Sequence, residues 1–144
     1  MTTTGSEVAQ PDWLTVGAAV VLVIENRYQR DRVRTGTVRR ILGRDIVVVD
    51  AKGEEIDRLR RSDYRAQTDH FERWSRSGWD STLRCMYRAD DPRAVAAAEK
   101  DVRLRHVDHL KAAISKVDIG TAPEVFDNIA ATATKLAAMA RERQ

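Results

Sequence analysis

The chain has a single cysteine, Cys85, and cannot close an intramolecular disulfide, which agrees with a reducing compartment. Long apolar runs are missing as well. The longest, Val16 to Ile24, is of strand length and contains Gly17, far short of the roughly 20 residues a membrane span needs. The segment Met1 to Glu7 lacks the basic region and apolar stretch of a secretory signal. A cytoplasmic protein with no membrane partner is therefore expected. Catalytic signatures are missing too: there is no G-x-S-x-G, no glycine-rich phosphate loop with a lysine and no H-E-x-x-H. The chain reads as a non-enzyme without catalytic residues, cofactor or metal. Its 144 residues allow one or two small domains.

What is present is arginine, unevenly placed. Residues 1–26 carry a net charge of −3, residues 27–88 hold 16 basic and 10 acidic side chains, and residues 89–144 hold 9 of each. In the middle segment every base but Lys52 is an arginine. The planar guanidinium suits phosphate and carboxylate because it donates two parallel hydrogen bonds. Arginine- and alanine-rich chains also come from high-GC genomes, which accounts for the choice of Arg over Lys but not for its clustering.

The stretch from Val33 to Leu59 organises the fold. Val38 to Leu42 and Ile46 to Val49 are β-branched runs around a short Gly43-Arg44-Asp45 link, the signature of a hairpin. Gly53 then provides a turn with positive φ, and Ile56 and Leu59 carry a third strand. Upstream, Trp13 closes one end of a barrel or stacks on a ligand. Val16-Gly17 turns, and Ala18 to Ile24 is a first strand apolar on both faces, which the later helices must cover. Glu25 to Arg34 reads as a long loop bearing Arg27, Tyr28, Arg30, Arg32 and Arg34. It is either a solvated arm or a nucleic-acid contact, with Tyr28 stacking on a base. The alternation predicts that Arg39 and Arg44 lie on the wet side of the next hairpin and that Arg40 sits at a bulge or exposed edge.

Val16-Gly17 followed by a basic loop, Thr35-Gly36-Thr37-Val38, the Ile46 to Val49 strand and the Gly53 turn together resemble an SH3-like small barrel of the KOW type, over residues 13–66. The resemblance implies a small antiparallel barrel, closed by a last strand within Leu59 to Ala66, that binds nucleic acid or protein.

Beyond it, three helices are expected. Asp69 and Glu72 have capping-box spacing, and Phe71, Trp74, Trp79, Leu83, Met86 and Tyr87 recur at helical intervals, weakened at Gly78. Asp91-Pro92 opens a second helix to about Val117, with Val95, Ala98, Val102, Val107, Leu110, Ile114 and Val117 as its stripe. Gly120 stops it, and a third helix runs from about Ala122 to Arg141 with Val125, Ile129, Ala133, Leu136 and Ala140. The last two form an antiparallel hairpin whose seam, marked by Ile114 and Leu136, also offers a surface for a partner or a second copy. His106 and His109 share a helix face but lack further ligands for zinc. Cys85 lies among arginines that would lower its pKa, or is a buried residue beside Met86.

The expected fold class is thus α+β: a tail over residues 1–12, an SH3-like β-barrel over 13–66 and a helical domain over 67–144. The expected function is a small basic accessory or regulatory protein that binds DNA or RNA through Arg27, Tyr28, Arg30, Arg32, Arg34, Arg39, Arg40 and Arg44. Its compositional style suits a phage-encoded regulator. The alternative is a protein–protein adaptor that grips an acidic host factor or dimerises through its helices.

Overall fold

The computed structural model describes residues 10–77 and 79–143. Most of the tail expected over 1–12, and Gly78, lie outside them. The chain forms two compact units, one up to Ala97 and one from Ala98.

The first unit is a curled antiparallel sheet. Its strands are β1 (Ala19–Asn26), β2 (Gln29–Ile41), β3 (Asp45–Val49), β4 (Glu55–Arg60), β5 (Tyr64–Arg65), β6 (His70–Ser77) and β7 (Asp80–Arg88), with a 3-10 turn at Arg61–Asp63. Their order across the sheet is β4-β3-β2-β1-β7-β6-β5. Strand β1 is central and its residues Val20 to Val23 are all buried. Val20 and Leu22 point into the main core with Leu14, Val38, Ile46, Val48, Leu59, Phe71 and Met86. Val21 and Val23 pack on the other face against Ala94 and Ala97. These alanines belong to the first turns of α1 (Pro92–Ser115), so a helix does cover the outer face of the first strand.

The core itself requires the curl. Leu59 of β4 and Phe71 of β6 share one cluster although five strand spacings separate them, about 24 Å in a flat sheet. Gly36 in β2 permits the close approach inside: a Cβ there would lie 2.6 Å from Val48 Cγ1 and 3.0 Å from Ile56 Cδ1. Gly53 takes φ +83° in the β3–β4 turn, where Asp50 Oδ1 accepts from the backbone N–H of Lys52 and Glu54. At the other end Trp13 meets Phe71 edge to face at 5.8 Å.

Two expectations need correction here. The segment expected as the first of three helices, Thr68 to Tyr87, is instead the β6–β7 hairpin, and the described residues form two α-helices. Its apolar residues recur at helical intervals, but β1 has one edge left open by β2, and β7 pairs along that edge from Val20↔Arg88 to Asn26↔Thr82. An unpaired central strand would orphan a row of backbone donors and acceptors, so tertiary pairing overrides the local pattern. Asp69 caps no helix: at φ +51° it accepts hydrogen bonds from Trp13 Nε1 at 2.9 Å and Tyr64 Oη at 2.7 Å. The sheet consequently runs to Arg88, past the barrel end expected at residue 66. The strand expected to close the barrel, now β5, pairs with β6.

The second correction concerns Glu25 to Arg34, which is no loop. β1 and β2 continue to the pair Asn26↔Gln29, leaving a two-residue turn. The Arg40 expectation fits the observed register: Val38↔Val48 is followed by Arg40↔Val47, which leaves Arg39 as the extra residue of a bulge.

The second unit holds the remainder of α1 and α2 (Pro123–Glu142). Asp91 Oδ1 accepts from the Arg93 N–H at 2.8 Å, capping the start of α1 with Pro92 in its first turn. Ala122 precedes α2 with Pro123 in its first turn. Asp118 and Thr121 hold the connection: Thr121 Oγ1 accepts from the Asp118 N–H at 2.7 Å, and Asp118 Oδ1 accepts from the Gly120 N–H at 2.8 Å. No helix of the described residues is long and apolar enough to cross a membrane.

Candidate nucleic-acid interface

The site grows from Asn26, the last residue of β1. Its Oδ1 accepts from the Tyr28 N–H at 2.9 Å, an Asx turn that reverses the chain at Arg27 and Tyr28. The Arg27 guanidinium lies 5.7 Å from the Tyr28 ring centroid, and the ring is 67% exposed. The same asparagine reaches sideways. Its Nδ2 donates to both carboxylate oxygens of Asp80 at 3.0 Å and to Thr82 Oγ1 at 3.2 Å. The pair Asn26↔Thr82 therefore sets the β6–β7 turn beside the β1–β2 turn, at one end of the sheet. Trp79 stands in that second turn, 97% exposed, and Trp74 in β6 is 57% exposed.

Behind the two tips the sheet register collects charge. Arg32 and Arg34 lie opposite Ile24 and Leu22 of β1. Leu22 points into the core, so both arginines stand on the concave, core-lined face, Arg34 level with the core residues Leu22, Met86 and Phe71 and Arg32 further along with Ile24. On the other side of β1, Ile24 pairs with Arg84, and Arg84 with Arg73. One row of the concave face thus reads Arg32, Ile24, Arg84, Arg73, about 14 Å across three strand spacings. Arg84 is partly neutralised: its Nη1 donates to Asp57 Oδ1 at 2.7 Å. The Asp57 carboxylate is buried, takes a second hydrogen bond from the Arg58 N–H, and keeps Oδ2 without a partner among the described residues. No ion pair is found for Arg32 or Arg34 among the described residues.

The eight residues expected to form one binding face do not lie together. Arg27 and Tyr28 are at the hairpin tip, with Arg30 in the irregular register next to it. Arg32 and Arg34 are on the concave face. The bulge reverses the alternation, so Arg40 stands opposite Val47, on the face away from the core, where Arg39, Arg40, Leu42, Gly53, Glu55 and Arg58 border a shallow depression of about 270 Å³. Arg44 is at the far end of β2, about 40 Å of strand from the tip, where its Nε donates to Asp45 Oδ1 at 3.1 Å. That bond holds the Asp45 carboxyl below the ordinary carboxylate range. A polyanion on the concave face would touch the first groups and miss Arg39, Arg40 and Arg44.

Arg73, Arg76 and Arg84 are not among the expected site residues, and Trp74 and Trp79 are expected in the stripe of a helix, because a helix is expected there. The signal was a period of two, in Phe71-x-Arg73-x-Ser75 and Thr82-x-Arg84-x-Met86, which places each set on one face of a strand.

Cys85 is buried opposite Val23, and burial pushes its thiol up, away from nucleophile chemistry. In the helical unit Ile114 is 52% exposed and Leu136 is half-buried. No side chain from Ala98 to Arg143 is buried. Ala98, Val102, Arg103, Met139 and Arg143 line an open cavity of about 490 Å³ between α1 and α2.

Comparison with protein-family models, with curated proteins and with solved structures finds no match to this chain.

Proposed function

We propose that this protein is a small basic accessory protein that binds nucleic acid with the end of the sheet where the β1–β2 and β6–β7 turns meet. The observation that carries the reading is the pair Arg32 and Arg34. They project from one face of one strand, without ion pairs among the described residues, on the same face as Arg73 and behind an exposed Tyr28. Guanidinium groups in that setting are available for phosphate. A regulatory role, and the likeness to KOW-type barrels, belong to the same reading; the likeness rests on β1 to β4, since the β6–β7 hairpin lies outside residues 13–66.

The test is the salt dependence of binding. Each phosphate contact contributes about 0.9 to the slope of log affinity against log salt for duplex DNA and about 0.7 for a single strand. Arg32→Glu with Arg34→Glu should weaken binding and flatten the slope by about 1.4 to 1.8. Arg44→Glu should change it little, because Asp45 already engages that side chain. Absence of measurable affinity for DNA and RNA at low salt overturns the proposal.

A second reading concerns the helical unit, and the lack of any buried side chain from Ala98 on favours it. We propose that a second copy of the chain completes this unit. Glu124 and Asp127 lie near the start of α2 and Lys135 and Arg141 toward its end, so two α2 helices laid antiparallel match acid to base.

A further inference from the structure

We infer that the nucleic acid held at this end of the sheet is single-stranded, with unpaired bases stacking on Trp79 and Tyr28. The inference rests on the nucleic-acid reading and deepens it.

The first observation is the exposure of the two rings. Trp79 at 97% and Tyr28 at 67% are each at the apex of a hairpin, away from both hydrophobic clusters of the sheet. Leaving large aromatic surfaces in water forgoes the burial that dominates aromatic energetics, and neither ring contributes to the fold in return. The second observation is that the two turns carrying the rings are held as neighbours. Asn26 is bonded at once to the backbone of Tyr28 and to the side chains of Asp80 and Thr82, so the two apices are fastened to each other. The third is the charge around them. Arg27 and Arg30 flank Tyr28, Arg76 stands on the β6 side, and Arg32 and Arg73 lie behind on the concave face. Of the acidic groups near this end, Asp80 is engaged by Asn26 and Asp57 by Arg84, and Glu25 and Asp31 lie in β1 and β2 beside the turn.

Exposed rings interleaved with arginines are the arrangement that holds single strands: bases stack on the rings and guanidinium groups follow the backbone. A duplex offers phosphates and base edges, while the faces of its bases are already stacked on one another. A ring at a turn apex reaches such a face only after the stack is opened, which costs energy. The same arginines serve both forms of nucleic acid; the two rings add affinity for one of them alone.

The experiment compares a labelled oligothymidine with a duplex of equal length by fluorescence anisotropy, alongside the intrinsic tryptophan emission. The wild-type protein should bind oligothymidine more tightly than the duplex, with quenching of its tryptophan fluorescence. Trp79→Ala and Tyr28→Ala should each lower the affinity for oligothymidine by about 5- to 150-fold and leave the duplex affinity and the melting temperature unchanged. Trp79→Ala should also abolish most of the quenching, and Trp79→Phe should retain part of the affinity. Equal binding of both forms, unaffected by either ring variant but weakened by Arg32→Glu with Arg34→Glu, overturns the single-strand inference and leaves the nucleic-acid reading intact. Failure to bind either form overturns both. Loss of self-association in Trp79→Ala, with oligothymidine binding unchanged, overturns the inference by assigning the ring to a protein contact.

Discussion

Arg84 Nη1 and Asp57 Oδ1 lie 2.7 Å apart, although β7 and β4 are four places apart in the sheet. Flat, that separation would be about 19 Å, so the ion pair ties the curl across its concave side. The two partners differ in exposure, with 33% of the Arg84 side chain accessible and 5% of that of Asp57. Removing the arginine leaves a buried carboxylate whose Oδ2 already lacks a partner among the described residues. Arg84→Met should cost about 3 kcal/mol of stability. Asp57→Asn should cost less, because the arginine can turn to water. Urea unfolding of the two single variants and the double variant measures this asymmetry, and equal losses would contradict it.

Gly36 has no room for a side chain. A methyl group there would sit 2.6 Å from Val48 Cγ1 and 3.0 Å from the Val49 carbonyl oxygen. Gly36→Ala should destabilise the sheet by about 1–3 kcal/mol through overpacking. Val48→Ala removes the nearest atom, so the double variant should lose less than the sum of the singles in thermal melts.

The Asp69 cluster sets opposite pH limits. Hydrogen bonds from Trp13 and Tyr64 hold the Asp69 carboxyl below its ordinary value of 3.8. Its contribution is present above that value and is lost as pH falls through the depressed one. Burial, with the hydrogen bond to Asp69, pushes the Tyr64 phenol up from 10.0 to about 12. That contribution is complete below 10 and is lost as pH rises toward 12. Stability measured against pH should fall at both ends; Asp69→Asn should flatten the acid limb and Tyr64→Phe the alkaline limb.

Ile114 and Leu136 report on the helical unit. Ile114→Asp with Leu136→Asp places charge on its apolar surface. If a second copy covers that surface, sedimentation should show the wild-type dimer reduced to a monomer while the circular dichroism of the sheet is retained. An unchanged mass would place the contact elsewhere.

The first four strands, apart from the Gln29 to Arg34 half of β2 that reads as a loop, were legible in the chain because each carries its own signal: β-branched runs on either side of Arg44, a glycine at φ +83°, and an apolar β1 that must be covered twice. The two helices were legible from Asp91-Pro92, from Gly120 between them and from stripes that reach two and more turns. Local residues decide those features, and local residues are what a sequence displays. Arg40 at the bulge belongs to the same class, since the break in alternation is itself the signal.

Only the tertiary structure decided the fate of Thr68 to Tyr87. Phe71, Trp74, Leu83 and Met86 fit a helical period, while Phe71-x-Arg73-x-Ser75 and Thr82-x-Arg84-x-Met86 fit a strand period, and the local pattern leaves a tie. The open edge of β1, more than 40 residues earlier in the chain, breaks it by hydrogen bonding to β7. The composition of the candidate site followed from that choice. Once β6 and β7 are strands, Arg73, Arg84 and Trp79 join Tyr28 and Arg32 toward one end of the sheet, with Arg34 next along the same face, and the bulge sends Arg39 and Arg40 elsewhere. Charge and aromatic content were properties of the sequence; which of those side chains share a face depended on register, and register is set by pairing between segments distant in the chain.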